Sequence, residues 1–397
     1  MVSMFRGNRN LLIIALIAVV NALGYAIIIP ILYSYSLRFG LTDFQNGLLF
    51  AVFSLFQFIA SPIIGRMSDK YGRRPLLIIS ISGTALSFFM MAFAPSAIFL
   101  FIARALDGIT AGNIPVASAV ISDTTEVKDR AKGFGIIMGS FSFGFVFGPA
   151  ISALTVGFNT ALPFIIAGVI SVIAVVITVM FLPETNKHIG EVKEGRLFDF
   201  KKMWQALFEP NVGLTLLITL LYFLAFACAI IYGFQPFTKK ILLISDTQNA
   251  LLFMLFGIVG FITQVFLVHR FSKYFGVKRA FSLSIFLTAI SFIIMFFSKS
   301  IILFIGASII LGLFNGIAQT LIPTILSQET DAKSQGTIMG LNASYQSIGF
   351  ILGPILGGAL ATVALPYPFL AGAIFVMLCF FLSFRVLRPG IRPESAF

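Results

Sequence analysis

Arg104 and Asp107 stand three residues apart inside an apolar run, Ala97 to Ile121, that is long enough to cross a bilayer. On a helix that spacing puts both side chains on one face, so guanidinium and carboxylate can pair. An ion held at mid-membrane costs about 2.5 to 3.5 kcal/mol on insertion scales, so such residues face the protein interior or a water-filled cavity and mark a pathway. A carboxylate whose partner can be drawn aside can take up and release a proton. Asp107 is the only acid inside a predicted span, which makes it and Arg104 the candidates for proton coupling. Held permanently ionised, the same pair would only anchor its helix.

A second cluster lies in the short basic run Gly65-Arg66-Met67-Ser68-Asp69-Lys70-Tyr71-Gly72-Arg73-Arg74-Pro75. Gly65 and Gly72 are expected to allow a tight connection between two helices, and Asp69 offers a carboxylate to a helix N-terminus. The partial positive charge there favours an anion by about 0.3 to 1 kcal/mol. Arg73, Arg74, Asp123 and Arg130 would form the charged surroundings of Asp69, and together these residues are the candidate conformational switch. Arginines that merely hold topology would account for the positive charge, but not for the acid or the glycines.

The elements that position these groups follow from composition. Of 397 residues, 58% are hydrophobic and 11% charged, whereas a soluble domain carries about a quarter charged residues. Continuous apolar runs of about 20 residues predict helices rather than the alternating segments of a barrel. Twelve are expected: Leu11 to Tyr33, Gly47 to Ile64, Leu76 to Ala94, Ala97 to Ile121, Gly133 to Val156, Ala161 to Leu182, Val212 to Phe234, Asn249 to Val268, Ala280 to Phe297, Ile301 to Leu326, Thr337 to Val363 and Tyr367 to Val386. The fold class is therefore an all-α membrane protein of twelve transmembrane helices in two six-helix halves, residues 1–182 and 211–397, joined by a polar linker, 183–210. Arg6 and Arg9 precede the first run as they would in a signal peptide, but that run lacks a small-residue cleavage site and reads as a span.

The net charge of +12 has a topological cause. With both termini cytoplasmic, the inner connections and tails hold almost all the Lys and Arg outside the spans, and the outer side holds only Arg38, Lys239, Lys240 and Lys299. That asymmetry is the positive-inside signature and removes the case for nucleic acid. Cys228 and Cys379 fall inside predicted helices, His188 and His269 in loops, so no metal site, disulfide framework or clustered enzyme site is expected. No nucleotide-binding G-x-x-x-x-G-K-[ST] run is present, and no cofactor is implied.

The halves repeat one another. Gly135 to Pro149 in the fifth span parallels Gly340 to Pro354 in the eleventh, with Gly144, Gly148 and Pro149 in register with Gly349, Gly353 and Pro354. After the eighth span, Arg270, Ser272, Gly276 and Lys278 echo Arg66, Ser68, Gly72 and Arg74, with Lys273 in place of Asp69. Parallel six-helix halves are a transporter architecture. The small residues and prolines are expected to let the fifth and eleventh helices bend and approach neighbours across the two halves.

At these motifs the chain resembles the major facilitator superfamily, and within it the drug/proton antiporter branch that includes tetracycline exporters. The run Gly65 to Pro75 is similar to the family pattern G-x-L-x-D-R-x-G-R-R/K, with Met67 and Lys70 as substitutions. Arg104 to Gly108, then Asp123 and Arg130 to Gly135, resembles a tetracycline-exporter stretch, and Gly144 to Pro149 is the antiporter element G-x-x-x-G-P. The resemblance implies alternating access and a latch between Asp69 and the start of the eleventh helix, near Gly336 to Gly340. It also implies a central cavity lined by helices one, four, seven and ten, with Asn21, Tyr25, Tyr232, Asn315 and Gln319 as substrate-cavity candidates beside Arg104 and Asp107. Proton-coupled efflux of a small lipophilic or amphipathic compound by a monomer in a bacterial-type plasma membrane follows as the expectation. Two departures stand out. Asn21 occupies a position where tetracycline exporters have an acid, so it cannot carry the proton, and Ser152 and Ala153 replace small glycines. The residues alone leave open a symporter or an exporter of a nutrient, sugar or lipid, and a membrane sensor without transport.

Overall fold

A computed structural model of the chain describes residues 9–124, 130–186, 189–190, 200–210, 212–331 and 334–386, with the backbone path alone for 9–11 and 130–138. Among these residues every regular element is helical. Hydrocarbon offers no partner to a free N–H or C=O, and a helix satisfies both within its own segment.

The first part of the chain forms α1 (Arg9–Ile28), α2 (Leu32–Leu37), α3 (Asp43–Tyr71), α4 (Arg73–Ala92), α5 (Ala97–Thr110), α6 (Ile114–Thr124), α7 (Arg130–Thr155) and α8 (Leu162–Phe181). The linker carries a short helix, α9 (Phe200–Ala206). There follow α10 (Gly213–Phe226), α11 (Phe234–Lys240), α12 (Asp246–Ile262), α13 (Val268–Phe275), α14 (Val277–Phe297), α15 (Ile301–Gln328), α16 (Gln335–Val363) and α17 (Tyr367–Ser383). A 3₁₀ turn at Ala111–Asn113 joins α5 to α6, and π turns at Ala227–Gly233 and Thr263–Leu267 join α10 to α11 and α12 to α13. Among the described residues nine helices are long and apolar enough to cross a membrane, and three shorter apolar helices, Leu12–Ile28, Gly139–Thr155 and Tyr367–Ser383, occupy the other expected positions.

Two boundaries differ from the hydropathy reading. The first span breaks after Ile28 rather than running to Tyr33, because Pro30 has no N–H to continue the ladder. The second runs from Asp43 to Tyr71, well beyond Gly47 to Ile64, since hydropathy marks the hydrocarbon layer while a helix continues until something stops it. Gly65 therefore lies inside α3 and makes no turn. The stop is Gly72, at φ 101° ahead of α4, and its repeat partner Gly276 does the same at φ 76° ahead of α14. A side chain at either position would be strained.

The chain divides into two compact units. The first comprises Met1–Leu41, Val52–Phe198 and Ser245–Met254; the second comprises Thr42–Ala51, Asp199–Ile244 and Leu255–Phe397. They depart from a simple cut in the linker, because the opening turns of α3 belong with the second unit and those of α12 with the first.

In the first unit α1 lies against α7. A Cβ on Gly148 would stand 2.7 Å from the Ala26 Cβ, and Gly144 meets Ala22 as closely. Ser152 then gives its hydroxyl to the Ile27 carbonyl at 2.7 Å. Asn249 donates to the Pro30 carbonyl at 2.7 Å, satisfying an acceptor at the break in the first span. Ile13, Ile14, Ile17, Leu77, Ile81, Val120 and Ile121 form a buried apolar core.

The second unit repeats the plan with α10 and α16. A Cβ on Gly349 would meet the backbone of Phe223 and Leu224, and one on Gly353 would stand 2.6 Å from the Ala227 Cβ. The close approach made by these four glycines thus lies inside each unit, while Pro354 and Gly358 of α16 meet the opening turns of α3, where a Cβ on Gly47 would stand 3.0 Å from the Gly358 Cα. Phe237, Phe304 and Phe369 pack as an aromatic cluster. Many other large apolar side chains, Ile79, Phe93, Leu154, Phe158 and Ile302 among them, are exposed, as lipid-facing residues must be.

Both exchanged segments begin with the same device. Thr42 and Gln45 bond reciprocally, backbone N–H to side chain in each direction, and Ser245 and Gln248 repeat the arrangement. These are capping boxes on α3 and α12. The underlying repeat, Thr42-Asp43-Phe44-Gln45-Asn46 against Ser245-Asp246-Thr247-Gln248-Asn249, is legible in the sequence once the capping pattern is sought.

Candidate functional site

Arg104 and Asp107 pair on α5, Nη1 to Oδ2 at 2.7 Å, and are only 2% and 3% exposed. The guanidinium carbon lies 4.3 Å from the centre of the Phe53 ring, on α3. Phe53 in turn stands 5.5 Å from Tyr25 of α1, which meets Phe145 of α7 edge-on at 6.1 Å. One turn before Tyr25, Asn21 donates to Asn113 Oδ1 at 2.8 Å, in the 3₁₀ turn below α5. Four of the sequence candidates, Asn21, Tyr25, Arg104 and Asp107, are therefore brought into one side-chain cluster in the first unit. Phe53 and Asn113 join it, and neither was singled out for a role from the sequence.

Chain geometry explains the arrangement. The helix α5 ends at Thr110, whose hydroxyl meets that of Thr84 at 2.9 Å, and a Cβ on Gly112 would then stand 3.0 Å from the Ser61 nitrogen. That break turns Asn113 toward α1. Three buried polar atoms of the cluster have no hydrogen-bond partner among the described residues: Asn21 Oδ1, Asn113 Nδ2 and Arg104 Nε. Leaving such atoms unmet costs about 1 to 3 kcal/mol each. The cluster thus holds one unmet acceptor, two unmet donors and three aromatic rings in the same unit as a buried charge pair.

The charged cluster lies at the junction of α3 and α4. Arg73 is its hub: Nη1 donates to Asp69 Oδ1 at 2.5 Å and to Ser68 Oγ at 2.6 Å, while Nε donates to Asp123 Oδ2 at 3.2 Å. Asp69, in the last turn of α3, is engaged by that arginine. Arg74 reaches the Val179 carbonyl at 2.6 Å, and the side chain of Arg130 lies outside the described residues. Gly65 sits in α3 with its carbonyl accepting from Ser68 Oγ.

Glu184, not anticipated, completes this cluster. Its carboxylate accepts the backbone N–H groups of Arg73 and Arg74 at 2.9 and 3.1 Å, and those of Thr185 and Asn186. Gly72, as N-cap of α4, has no side chain to do this, so the linker supplies the anion. A lone Glu after a proline at a helix end gave no sequence signal of a partner 110 residues earlier.

In the second unit Asn315 Oδ1 accepts from Tyr222 at 2.8 Å and from Gln319 at 3.1 Å. Tyr222 was not anticipated. Tyr232 lies apart from this chain of bonds: it is buried and gives its hydroxyl to the Asp43 carbonyl at 2.6 Å, while Lys240 Nζ meets both Asp43 carboxylate oxygens at 3.0 Å. Pro149 and Pro354 lie within α7 and α16.

Comparison with known proteins adds the following. A family model described as the Major Facilitator Superfamily matches residues 14–239 and 216–397. Multidrug resistance protein 1 of Bacillus subtilis (strain 168) is 30% identical over 380 residues, covering 92% of this chain and 93% of that protein. Tetracycline resistance protein, class B, of Escherichia coli is 28% identical over 371 residues, 90% of each chain. Among solved structures, a bacterial homolog of the human lysosomal transporter Spinster, described as inward-facing and occupied, aligns with TM-score 0.78 at 17% identity over 96% of this chain and 98% of that one. The nucleoside transporter NupG aligns with TM-score 0.77 at 13% identity over 94% and 97%. At these identities the two structures speak for the fold alone.

Proposed function

The chain belongs to the Major Facilitator Superfamily, and from that premise we propose that it exports small lipophilic or amphipathic compounds from the cell in exchange for protons. It is a membrane-embedded secondary transporter, not an enzyme. Relatives named for multidrug and tetracycline resistance support the substrate class.

The observation that carries this reading is the buried Arg104–Asp107 pair set among Phe53, Tyr25 and the half-satisfied amides of Asn21 and Asn113. The rings take the apolar body of a substrate, and the free amide atoms and Arg104 Nε take its polar groups. A substrate that draws Arg104 toward itself leaves Asp107 with an uncompensated charge in an apolar setting. Breaking a buried ion pair costs about 3 to 5 kcal/mol, and a carboxylate escapes that cost by binding a proton. Substrate and proton are thereby linked through one arginine. Asn21 cannot substitute for the acid.

The cluster of Asp69, Arg73 and Asp123 serves as the switch. In the arrangement described Arg73 holds Asp69; in the alternate state of the cycle that grip is released and Asp69 is available to a helix N-terminus. The distribution of Lys and Arg supports cytoplasmic termini, and the presence of both six-helix halves in one chain supports a monomeric working unit.

The test is substrate-dependent pH change in everted membrane vesicles. Alkalinisation of the acidified lumen on adding substrate is expected of antiport. Further acidification would mean symport, and no pH change would remove the proton from the reaction.

A further inference from the structure

We propose that α9 is an interfacial helix whose aromatic edge seats in an anionic phospholipid bilayer, making this part of the linker a lipid-bound element. Phe200, Trp204 and Phe208 recur every four residues and are 65%, 66% and 69% exposed. Phe200 and Trp204 share one face of α9 at that spacing, and Phe208, in the turn after the helix, extends the stripe through its contact with Trp204. The rings of Trp204 and Phe208 meet edge-to-face at 5.4 Å, so part of the stripe is already assembled.

The opposite side of α9 is fixed to the second unit. Ala206 is fully buried, and Tyr345 of α16 donates its hydroxyl to the Met203 carbonyl at 2.7 Å. The chain then folds back tightly, with Phe208 N bonding Gln205 O at 3.0 Å and Gly213 N bonding Glu209 O at 2.9 Å, and enters α10 at once. The outward aim of the rings is therefore set by the fold.

Depth follows from α16. Its 29 residues make a rod of about 44 Å at ~1.5 Å per residue, against about 30 Å of hydrocarbon. With the bilayer centred on that rod, Tyr345, ten residues from the start, lies some 15 Å along it and within the membrane. Its side chain leans toward the helix N-terminus, so Met203 lies on the boundary side of that depth.

Composition agrees with that depth. Trp204 is the only tryptophan in the chain, and Trp at a membrane boundary buries its ring while its indole N–H stays wet, the neighbouring Phe rings adding apolar area. Lys201, exposed, and Lys202 adjoin the stripe. Aromatic burial combined with lysines is the pairing by which short amphipathic helices hold to anionic headgroups.

Because Trp204 is alone, the full-length protein reports on this helix by its own fluorescence. The protein is reconstituted in phosphatidylcholine vesicles with and without phosphatidylglycerol, using lipids brominated either near the carbonyl end of the chain or near its methyl end. Bromine near the carbonyl end is expected to remove at least half of the emission, bromine at the methyl end distinctly less, and aqueous iodide little. Phosphatidylglycerol should deepen the quenching, and K201Q/K202Q should abolish that increment. A second variant, F200S/F208S, should return Trp204 to iodide while substrate counterflow reports that the transporter is still folded. Strong iodide quenching with no bromine effect overturns the proposal. So does quenching that is indifferent to phosphatidylglycerol, or emission that changes with protein concentration at fixed lipid, which would put a second copy on this face.

Discussion

Asn21 and Asn113, 92 residues apart, share a single hydrogen bond of 2.8 Å and each keeps the other half of its amide buried and unmet. Two amides could have been satisfied by neighbouring hydroxyls or backbone. Their incompleteness, in the same unit as Phe53 and a buried ion pair, is what the proposed substrate site rests on.

Replacing Asn113 with leucine removes both the acceptor for Asn21 and the free donor. The expected outcome is a rise in the half-saturating substrate concentration of about five- to hundredfold, corresponding to ~1 to 3 kcal/mol for a buried amide left unpaired. Transport rates in proteoliposomes across a substrate series check this, and unchanged half-saturation would place the amides outside the binding site.

Arg73 contacts two acids with two different nitrogens, a geometry that a lysine ammonium cannot reproduce. R73K is therefore expected to transport nearly as poorly as R73A, although it keeps the charge. Wild-type turnover by R73K at equal membrane abundance would show that charge alone suffices.

Glu184 caps the first turn of α4 through two backbone N–H groups. E184A should lower thermal stability by the cost of a lost helix cap, about 1 kcal/mol, and E184Q by less because its amide oxygen still accepts. Thermal unfolding in detergent compares the three. Equal stabilities would mean that the linker contributes nothing to this helix start.

Gly148 and Gly139 lie on the same helix with opposite surroundings. A Cβ on Gly148 meets Ala26 at 2.7 Å, whereas one on Gly139 meets nothing within 4 Å. G148V should destabilise by about 1 to 3 kcal/mol or more through overpacking, and G139A should stabilise by about 0.5 to 1 kcal/mol. The same unfolding measurement checks both signs.

Much of this architecture is legible in the chain because apolar runs and the spacing of Arg104 and Asp107 are local properties. The pair could be read from its i, i+3 register alone. Its surroundings could not: nothing near Asn21 names Asn113, nothing near Glu184 names Arg73, and Phe53 is one of 47 phenylalanines. Gly65 reads as a connection residue because hydropathy ends with the hydrocarbon, while α3 continues to Tyr71 and the positive φ of Gly72 ends it. Gly144 and Gly349 were legible as sites of close approach, but their partners, α1 and α10, are set by packing that a single sequence does not display.

The most direct test of the central claim compares wild-type protein and D107N in proteoliposomes, recording substrate movement and lumenal pH together under an imposed proton gradient. Wild type should move protons against substrate, and D107N should retain counterflow of substrate while losing both the proton movement and the response to the gradient. Undiminished gradient-driven transport by D107N, with protons still moving, would contradict the account.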